Sequence, residues 1–331
     1  MKSPITGKEM LLTKERRSMY FRKEKFDIVF HFYKCEDSGE QFTTNALDDL
    51  NTNQIYNQYR NKFSIPFPDE ISKIRKKYDL SAAKISEILG FGVNTYRKYE
   101  AGEMPSVANA KLIRMADEPD NFRKMVALCN TLSENQKEKY LKKASLLSAQ
   151  NTSGLNFKDY LLGKSLPDIY SGYRCHNFKK FTEMVVYFSD VLSPYKTKMN
   201  KLLFYADFLM FQKSCFSISG LRYKAIDMGP VPHKFQSLFE YLSDNREIDI
   251  QLINFPQGYF GEKFNARPDR KFKAEVFTEE ELETLKKVAA HFKDTSTKEI
   301  VELSHLEEAW KKNETTKSEI SYEYAFELHS L

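Results

Sequence analysis

Asn94, Arg97 and Lys98 stand at i, i+3 and i+4, so any helix that holds them carries all three on one face. An asparagine amide can pair bidentately with adenine, and arginine or lysine can reach guanine or phosphate. The hydroxyls of Thr95 and Ser81, each near an expected helix N-terminus, offer bonds to phosphate beside free backbone N–H groups. Val93 and Lys84 complete this candidate set, Lys84 as a contact indifferent to base sequence. The same residues also read as ordinary solvated side chains of a small helical domain, and periodicity alone leaves both readings open.

A face of this kind needs short helices and tight turns to present it. Pro66 and Pro68 punctuate the chain, and Asp69 is placed to cap a helix that buries Ile71, Ile74 and Tyr78. Ser81 caps a second, with Ile85, Ile88 and Leu89 inward, and Gly90-Phe91-Gly92 makes the turn. A third helix is expected over Val93–Glu100, ending at Gly102, with Tyr96 and Tyr99 packing inward. Met104-Pro105-Ser106 then opens a fourth, with Leu112 and Ile113 inward. Short helices joined by very short turns make a helix-turn-helix layout.

The run from Ile85 to Gly102 resembles the helix-turn-helix of the MqsA (YgiT-type) antitoxins, relatives of the XRE/Cro repressors. Tyr59-Arg60 and Ile65-Pro66 before it, and Pro105-Ser106 with Leu112-Ile113 after it, extend the likeness over residues 1–125. The resemblance implies dimeric operator binding and autorepression, with Asn94 and Lys98 at the positions that read the operator. Upstream, residues 8–43 are β-rich: Phe26, Ile28, Phe30 and Phe32 alternate, and Arg22–Lys25 is a plausible hairpin connection. A helix is expected over Thr44–Lys62. The family places two C-x-x-C pairs in this N-terminal domain, a zinc signature. Here Ser3 and Thr6 replace the first pair, and Cys35, followed by Glu36-Asp37-Ser38, is what remains of the second. One thiolate does not hold a structural zinc, so no metal and no cofactor are expected.

Ser133 with Gln136 is a capping box for a charged helix to about Leu147, followed by a polar linker over 148–154 and an irregular segment over 155–175. Beyond it, His176–Leu331 reads as an α+β domain. Helices carry Phe178, Phe181, Val185 and Phe188, then Met199, Leu202, Leu203, Ala206 and Leu209. Leu221–Ile226 is an expected strand, and Pro232 is expected to start a helix carrying Phe235, Leu238, Phe239 and Leu242. Ile248–Phe255 and Tyr259–Phe264 are expected to pair. Thr278 with Glu281, Ser296 with Glu299, and Ser304 with Glu307 read as capping boxes. Glu279–Glu281 is then a first turn that complements the helix dipole, not a carboxylate site.

Lys201–Phe208, Ser219–Ala225, Gly229-Pro230-Val231-Pro232, and Ser304-His305 with Trp310 are similar to the signature of the SocA-like Panacea domain, found in antitoxins that neutralise many unrelated toxins. That resemblance implies a binding module without catalysis. Tyr205, Asp207, Tyr223, His305 and Trp310 are the candidate toxin-binding positions, with core framework as the competing reading of Tyr205 and Trp310. Asp207 and His305 would make an acid–base couple if they met, yet a structural hydrogen bond explains each as well.

Composition bounds the rest. At 331 residues, several domains are expected. A net charge of +5 permits nucleic-acid binding without arguing for it. Cys35, Cys129, Cys175 and Cys215 are scattered, which suits a reducing cytoplasm. No signal core or membrane span is expected, and the six histidines share no H-x-x-x-H spacing.

The whole reads as mainly α with α+β parts: a small N-terminal antiparallel β domain with a helix (1–63), a central five-helix helix-turn-helix domain (64–130), a helix and linker (131–175), and a C-terminal Panacea-like α+β domain (176–331). The expected function is that of a cytoplasmic, non-enzymatic antitoxin. It would be a homodimer whose partners are a cognate protein toxin and double-stranded operator DNA. A stand-alone repressor with a C-terminal sensor, and a proteolytic adaptor, are the alternatives.

Overall fold

The computed structural model describes residues 1–151, 166–256, 258 and 260–331. Helix makes up 51% and strand 15%, which is the expected mainly α class with α+β parts. The described residues of 1–14, 31–53 and 166–331 form one compact unit, and those of 15–30 and 54–151 form another.

Strands β1 (Leu11–Phe21) and β2 (Glu24–Lys34) are neighbours in a three-stranded sheet completed by β3 (Gln41–Phe42). Their link is only Arg22-Lys23, with φ of 47° and 68°. A two-residue hairpin turn of this hand requires positive φ at both positions. Helix α1 (Asn45–Lys62) closes the edge of β2 with side-chain amides. Asn51 accepts from the His31 N–H and donates to its carbonyl, both at 2.9 Å. Gln54 treats Val29 the same way at 2.9 and 2.8 Å, and Gln58 donates to the Asp27 carbonyl at 2.9 Å. Backbone groups that an open edge would leave unpaired are thereby satisfied.

Six helices follow: α2 (Pro68–Lys77), α3 (Ala82–Ile88), α4 (Thr95–Glu100), α5 (Val107–Asp117), α6 (Pro119–Leu128) and α7 (Glu134–Asn151). Their apolar faces meet in one cluster that includes Ile71, Ile74, Tyr78, Ile85, Ile88, Leu89, Tyr96, Tyr99 and Ile113, as the periodicity predicts. Tyr78 stacks on Phe122 at 3.8 Å and donates its hydroxyl to the Ala116 carbonyl.

Four local expectations are corrected. Asp69 does not cap α2. Pro68 takes the first helical position, where its missing N–H costs nothing, and the Glu70 carboxylate accepts from the N–H of Phe67 at 2.8 Å. The third helix starts at Thr95, two residues later than expected, with Asn94 in the capping position. Leu112 is only half-buried and lines a groove with Met125 and Leu128. The box of Ser133 and Gln136 is present, but α7 continues through Asn151 into the expected linker. Residues 152–165, which hold the rest of that linker and the start of the expected irregular segment, lie outside the described residues.

In the C-terminal half, helices α8 (Phe178–Leu192) and α9 (Lys196–Ser214) precede strands β4 (Tyr223–Ile226) and β5 (Gly229–Pro232). Helix α10 (Phe235–Asp244), strands β6 (Asp249–Asn254) and β7 (Phe260–Asn265), and helices α11 (Glu279–His291), α12 (Thr297–Leu306) and α13 (Glu308–Lys311) complete it. Every residue of α9 from Lys198 to Phe211 is buried. A helix enclosed on all sides is a core element, and the rest of the domain is built around it.

Strands β6 and β7 pair as expected, whereas Pro232 does not start a helix. It ends β5, opposite Tyr223, and α10 begins three residues later, after Lys234 at φ 52°. The boxes of Thr278 with Glu281 and Ser296 with Glu299 are present. That of Ser304 with Glu307 is not, because α12 runs through Ser304, whose hydroxyl donates to the Val301 carbonyl at 2.8 Å. No described helix is long and apolar enough to cross a membrane.

Candidate nucleic-acid interface and C-terminal constellation

Helix α4 is held from beneath. The buried Ser86 of α3 accepts at Oγ from the N–H of Tyr96 (3.1 Å), and the Tyr96 hydroxyl donates to the Ile71 carbonyl at 2.8 Å. Tyr99 accepts from the Asn109 amide at 2.8 Å. At its far end, Glu100 receives both Nε and Nη2 of Arg75, at 2.7 and 3.2 Å. Arg60, only 2% exposed, donates to the carbonyls of Gly102 and Glu103 just past the helix. Burial pulls the Arg60 guanidinium down to about 10.

What α4 turns outward is the set read from sequence. Val93, Asn94, Arg97 and Lys98 are exposed, and Thr95 is half-buried. The Asn94 side chain caps nothing, although it occupies the capping position. Lys98 approaches Glu103 at only 3.9 Å. Ser81 is exposed but engaged, its hydroxyl accepting from the Lys84 N–H at 3.1 Å. Lys84 is likewise engaged: its ammonium sits 2.7 Å from Glu87, which also accepts from Thr131. The Glu87 carboxylate holds the Lys84 ammonium above its usual range.

Ser3, Thr6, Cys35 and Ser38, the positions compared above with two cysteine pairs, lie together. The Thr6 hydroxyl is 3.5 Å from the Cys35 sulfur, and the hydroxyls of Ser3 and Ser38 also bond that sulfur. These bonds pull the Cys35 thiol down to about 6. Three hydroxyls and one thiol are a poor donor set for zinc, which takes thiolate, imidazole or carboxylate. The residues do not fit the metal.

In the C-terminal domain, Asp207 is completely buried and accepts four hydrogen bonds. They come from the N–H groups of Ile218 and Ser219, both at 2.8 Å, the Ser219 hydroxyl, and the Tyr223 hydroxyl at 2.7 Å. Burial nevertheless raises its carboxyl, because desolvation outweighs the four donors. Tyr205 is also fully buried and donates to Glu307 at 3.3 Å. His305 stacks on Trp310 at 3.8 Å, and the indole N–H donates to the Ile226 carbonyl at 2.8 Å. No hydrogen bond joins Asp207 to His305, whose Nε2 has no partner among the described residues.

The five candidate positions thus separate. Tyr205, Asp207 and Tyr223 have no surface: the Asp207–Tyr223 bond ties α9 to β4 and Tyr205 ties α9 to Glu307, while His305 and Trp310 keep partial exposure. Sequence reading missed Lys201. Its ammonium is fully buried, donates to the Pro230 carbonyl at 2.9 Å, and is pulled down to about 7 by burial. A Cβ at Gly229 would lie 2.7 Å from its Cε and 2.5 Å from the Ser304 hydroxyl, so only glycine fits there. The signal was a lysine amid the apolar run Met199–Phe211, where a solvated side chain has no room.

Residues 1–125 match the family model described as antitoxin component of bacterial toxin-antitoxin system, MqsA. Residues 199–311 match the one described as antitoxin SocA-like, Panacea domain. Antitoxin MqsA of Escherichia coli (strain K12) is 43% identical over 51 residues, which are 15% of this chain and 39% of that protein. The chain therefore spans well under half the length of that curated relative.

Proposed function

We propose that this chain, similar to antitoxins of toxin–antitoxin systems over two separate stretches, is itself the antitoxin of such a pair, with one region for operator DNA and another for a protein toxin. The observation that carries the DNA reading is the division of α4. Tyr96 and Tyr99 are buried, while Asn94, Arg97 and Lys98 stand exposed on the other side. In this reading α4 enters the major groove, Asn94 pairs with a base, and Arg97 and Lys98 reach guanine or phosphate. Val93, Thr95 and Ser81 border the contact, and Lys84 reaches phosphate by exchanging Glu87 for it. A homodimer sets two such helices in successive grooves of a palindromic site.

The C-terminal domain, over 176–331, is proposed to occlude a cognate toxin by stoichiometric binding, without catalysis, in the cytoplasm. Within it, His305 and Trp310 are the candidate contacts. Tyr205, Asp207 and Tyr223 are proposed to act beneath the contact surface as its framework. The division at residues 63, 130 and 175 belongs to the same proposal.

The test is co-expression of the full chain with the product of the neighbouring reading frame, with growth and affinity recovery measured together. Restored growth with an equimolar complex supports the antitoxin reading. Growth arrest that persists, with no complex recovered, overturns it and leaves a repressor.

A further inference from the structure

Glu87 stands between two parts of the helical domain. Its Oε2 takes the Lys84 ammonium at 2.7 Å, one turn back on α3, and its Oε1 accepts from the Thr131 hydroxyl, also at 2.7 Å. Thr131 belongs to the link between α6 and α7, and that link is anchored on both sides of it. The Cys129 thiol donates to the Glu87 carbonyl at 3.8 Å, and Leu132 is buried in the helical core. The carboxylate is thus set in place from outside its own helix. Lys84, and then Thr131, hold its carboxyl below the usual range.

An ion pair between two exposed side chains stabilises little, because water competes for both. Lys84 and Glu87 are partly shielded, at 24% and 30% side-chain exposure, and the bond from Thr131 has already ordered the carboxylate. The other cations of the DNA-facing set are held differently. Lys98 approaches Glu103 only at 3.9 Å, with both side chains more than half exposed, and Arg97 makes no ion pair among the described residues. The two cations on α4 are open to DNA, whereas the one on α3 is already neutralised.

We propose that Glu87, positioned by Thr131, competes with the DNA backbone for Lys84. The proposal rests on the operator reading given above. In the free protein the carboxylate neutralises the ammonium, and on DNA a phosphate oxygen takes its place, so the Lys84–Glu87 bond must break first. Backbone contacts are the same on every sequence and supply nearly all the binding to random DNA. Operator binding adds base contacts from α4, and random DNA has none to add. The same cost on Lys84 therefore clears the protein from random DNA first. Thr131 takes part without belonging to the DNA-facing set, from a link that no sequence motif marks.

Fluorescence anisotropy of the full chain at one salt concentration tests this, the probes being a duplex from upstream of its own reading frame and a random duplex. Glu87→Gln keeps an acceptor for Thr131 and removes the charge. With unchanged circular dichroism, it is expected to tighten binding of both duplexes by about two- to fivefold, the worth of a partly shielded ion pair. Thr131→Val is expected to move affinity the same way by less, and Thr131→Ser to match the parent. In a Lys84→Ala background, itself weaker on both duplexes, neither Glu87→Gln nor Thr131→Val is expected to change affinity further.

A gain from Glu87→Gln that persists without Lys84 shows a carboxylate that merely repels DNA. No gain in the parent shows a pair that opens at no cost, and a Lys84→Ala variant that binds like the parent shows a lysine that meets no phosphate. Each of these overturns the competition and leaves operator binding in place. A Thr131→Val variant that gains nothing, or gains equally without Lys84, overturns the positioning role of Thr131. A parent protein that binds neither duplex overturns the operator reading and this inference together.

Discussion

The Arg60 guanidinium donates from Nη2 to the Gly102 carbonyl at 2.8 Å, so an arginine of α1 closes the C-terminal end of the helix proposed to read DNA. Its neighbouring bond to Glu103, at 3.3 Å, makes the contact a clamp. Arg60→Met is expected to leave two part-buried carbonyls short of a donor and to cost about 1–2 kcal/mol of stability in urea denaturation. A loss below about 0.5 kcal/mol would mean that water replaces the guanidinium.

Asn94→Ala is expected to weaken operator binding by about 1–3 kcal/mol in fluorescence anisotropy and to leave random DNA unaffected. Its side chain caps nothing in α4, so the fold should be unchanged. Equal loss on both sequences would remove Asn94 from base reading.

Tyr223→Phe takes one of four donors from Asp207. The buried carboxylate is then under-satisfied, and an unfolding cost of about 1–3 kcal/mol is expected with no change in DNA affinity. An altered operator affinity in this variant would argue against a purely framework role.

Lys201 has its ammonium pulled down to about 7, against an ordinary value of 10.5. Between those two values the unfolded chain binds more protons than the folded one, so stability rises with pH there and is lost as pH falls toward 7. Lys201→Met is expected to flatten that rise, as read by urea midpoints at several pH values. An unchanged slope would show that Lys201 titrates normally.

The protein purified from zinc-supplemented medium is expected to carry far less than one zinc per chain by elemental analysis, and a chelator should not lower its melting temperature. One equivalent of zinc would show that Ser3, Thr6 and Ser38 do not replace the metal as bonding partners of Cys35.

Legibility in the sequence followed how local each cause is. The inward face of Ile85, Ile88, Tyr96 and Tyr99 was readable because helical spacing alone sets it. Ser81 and Thr278 were readable as caps because the partner lies within one turn. Ser304 with Glu307 has the same spacing and fails, because α12 packs against α9 and continues past that point. Pro232 fails likewise, since pairing with Tyr223 outranks its preference for a first helical turn. Asp207 and Tyr223 looked like contact residues because their chemistry is polar, and only the assembled core reveals that they spend it on each other.

The amides of Asn51, Gln54 and Gln58 touch β2 through its main chain alone. Main-chain groups are the same under every non-proline residue, so the strand is free to change its side chains while the helix is not free to change its amides. Divergence in this corner of the molecule is therefore one-sided. Substitutions can accumulate along Asp27–His31 wherever packing permits, and the record of what the pairing requires stays written on α1.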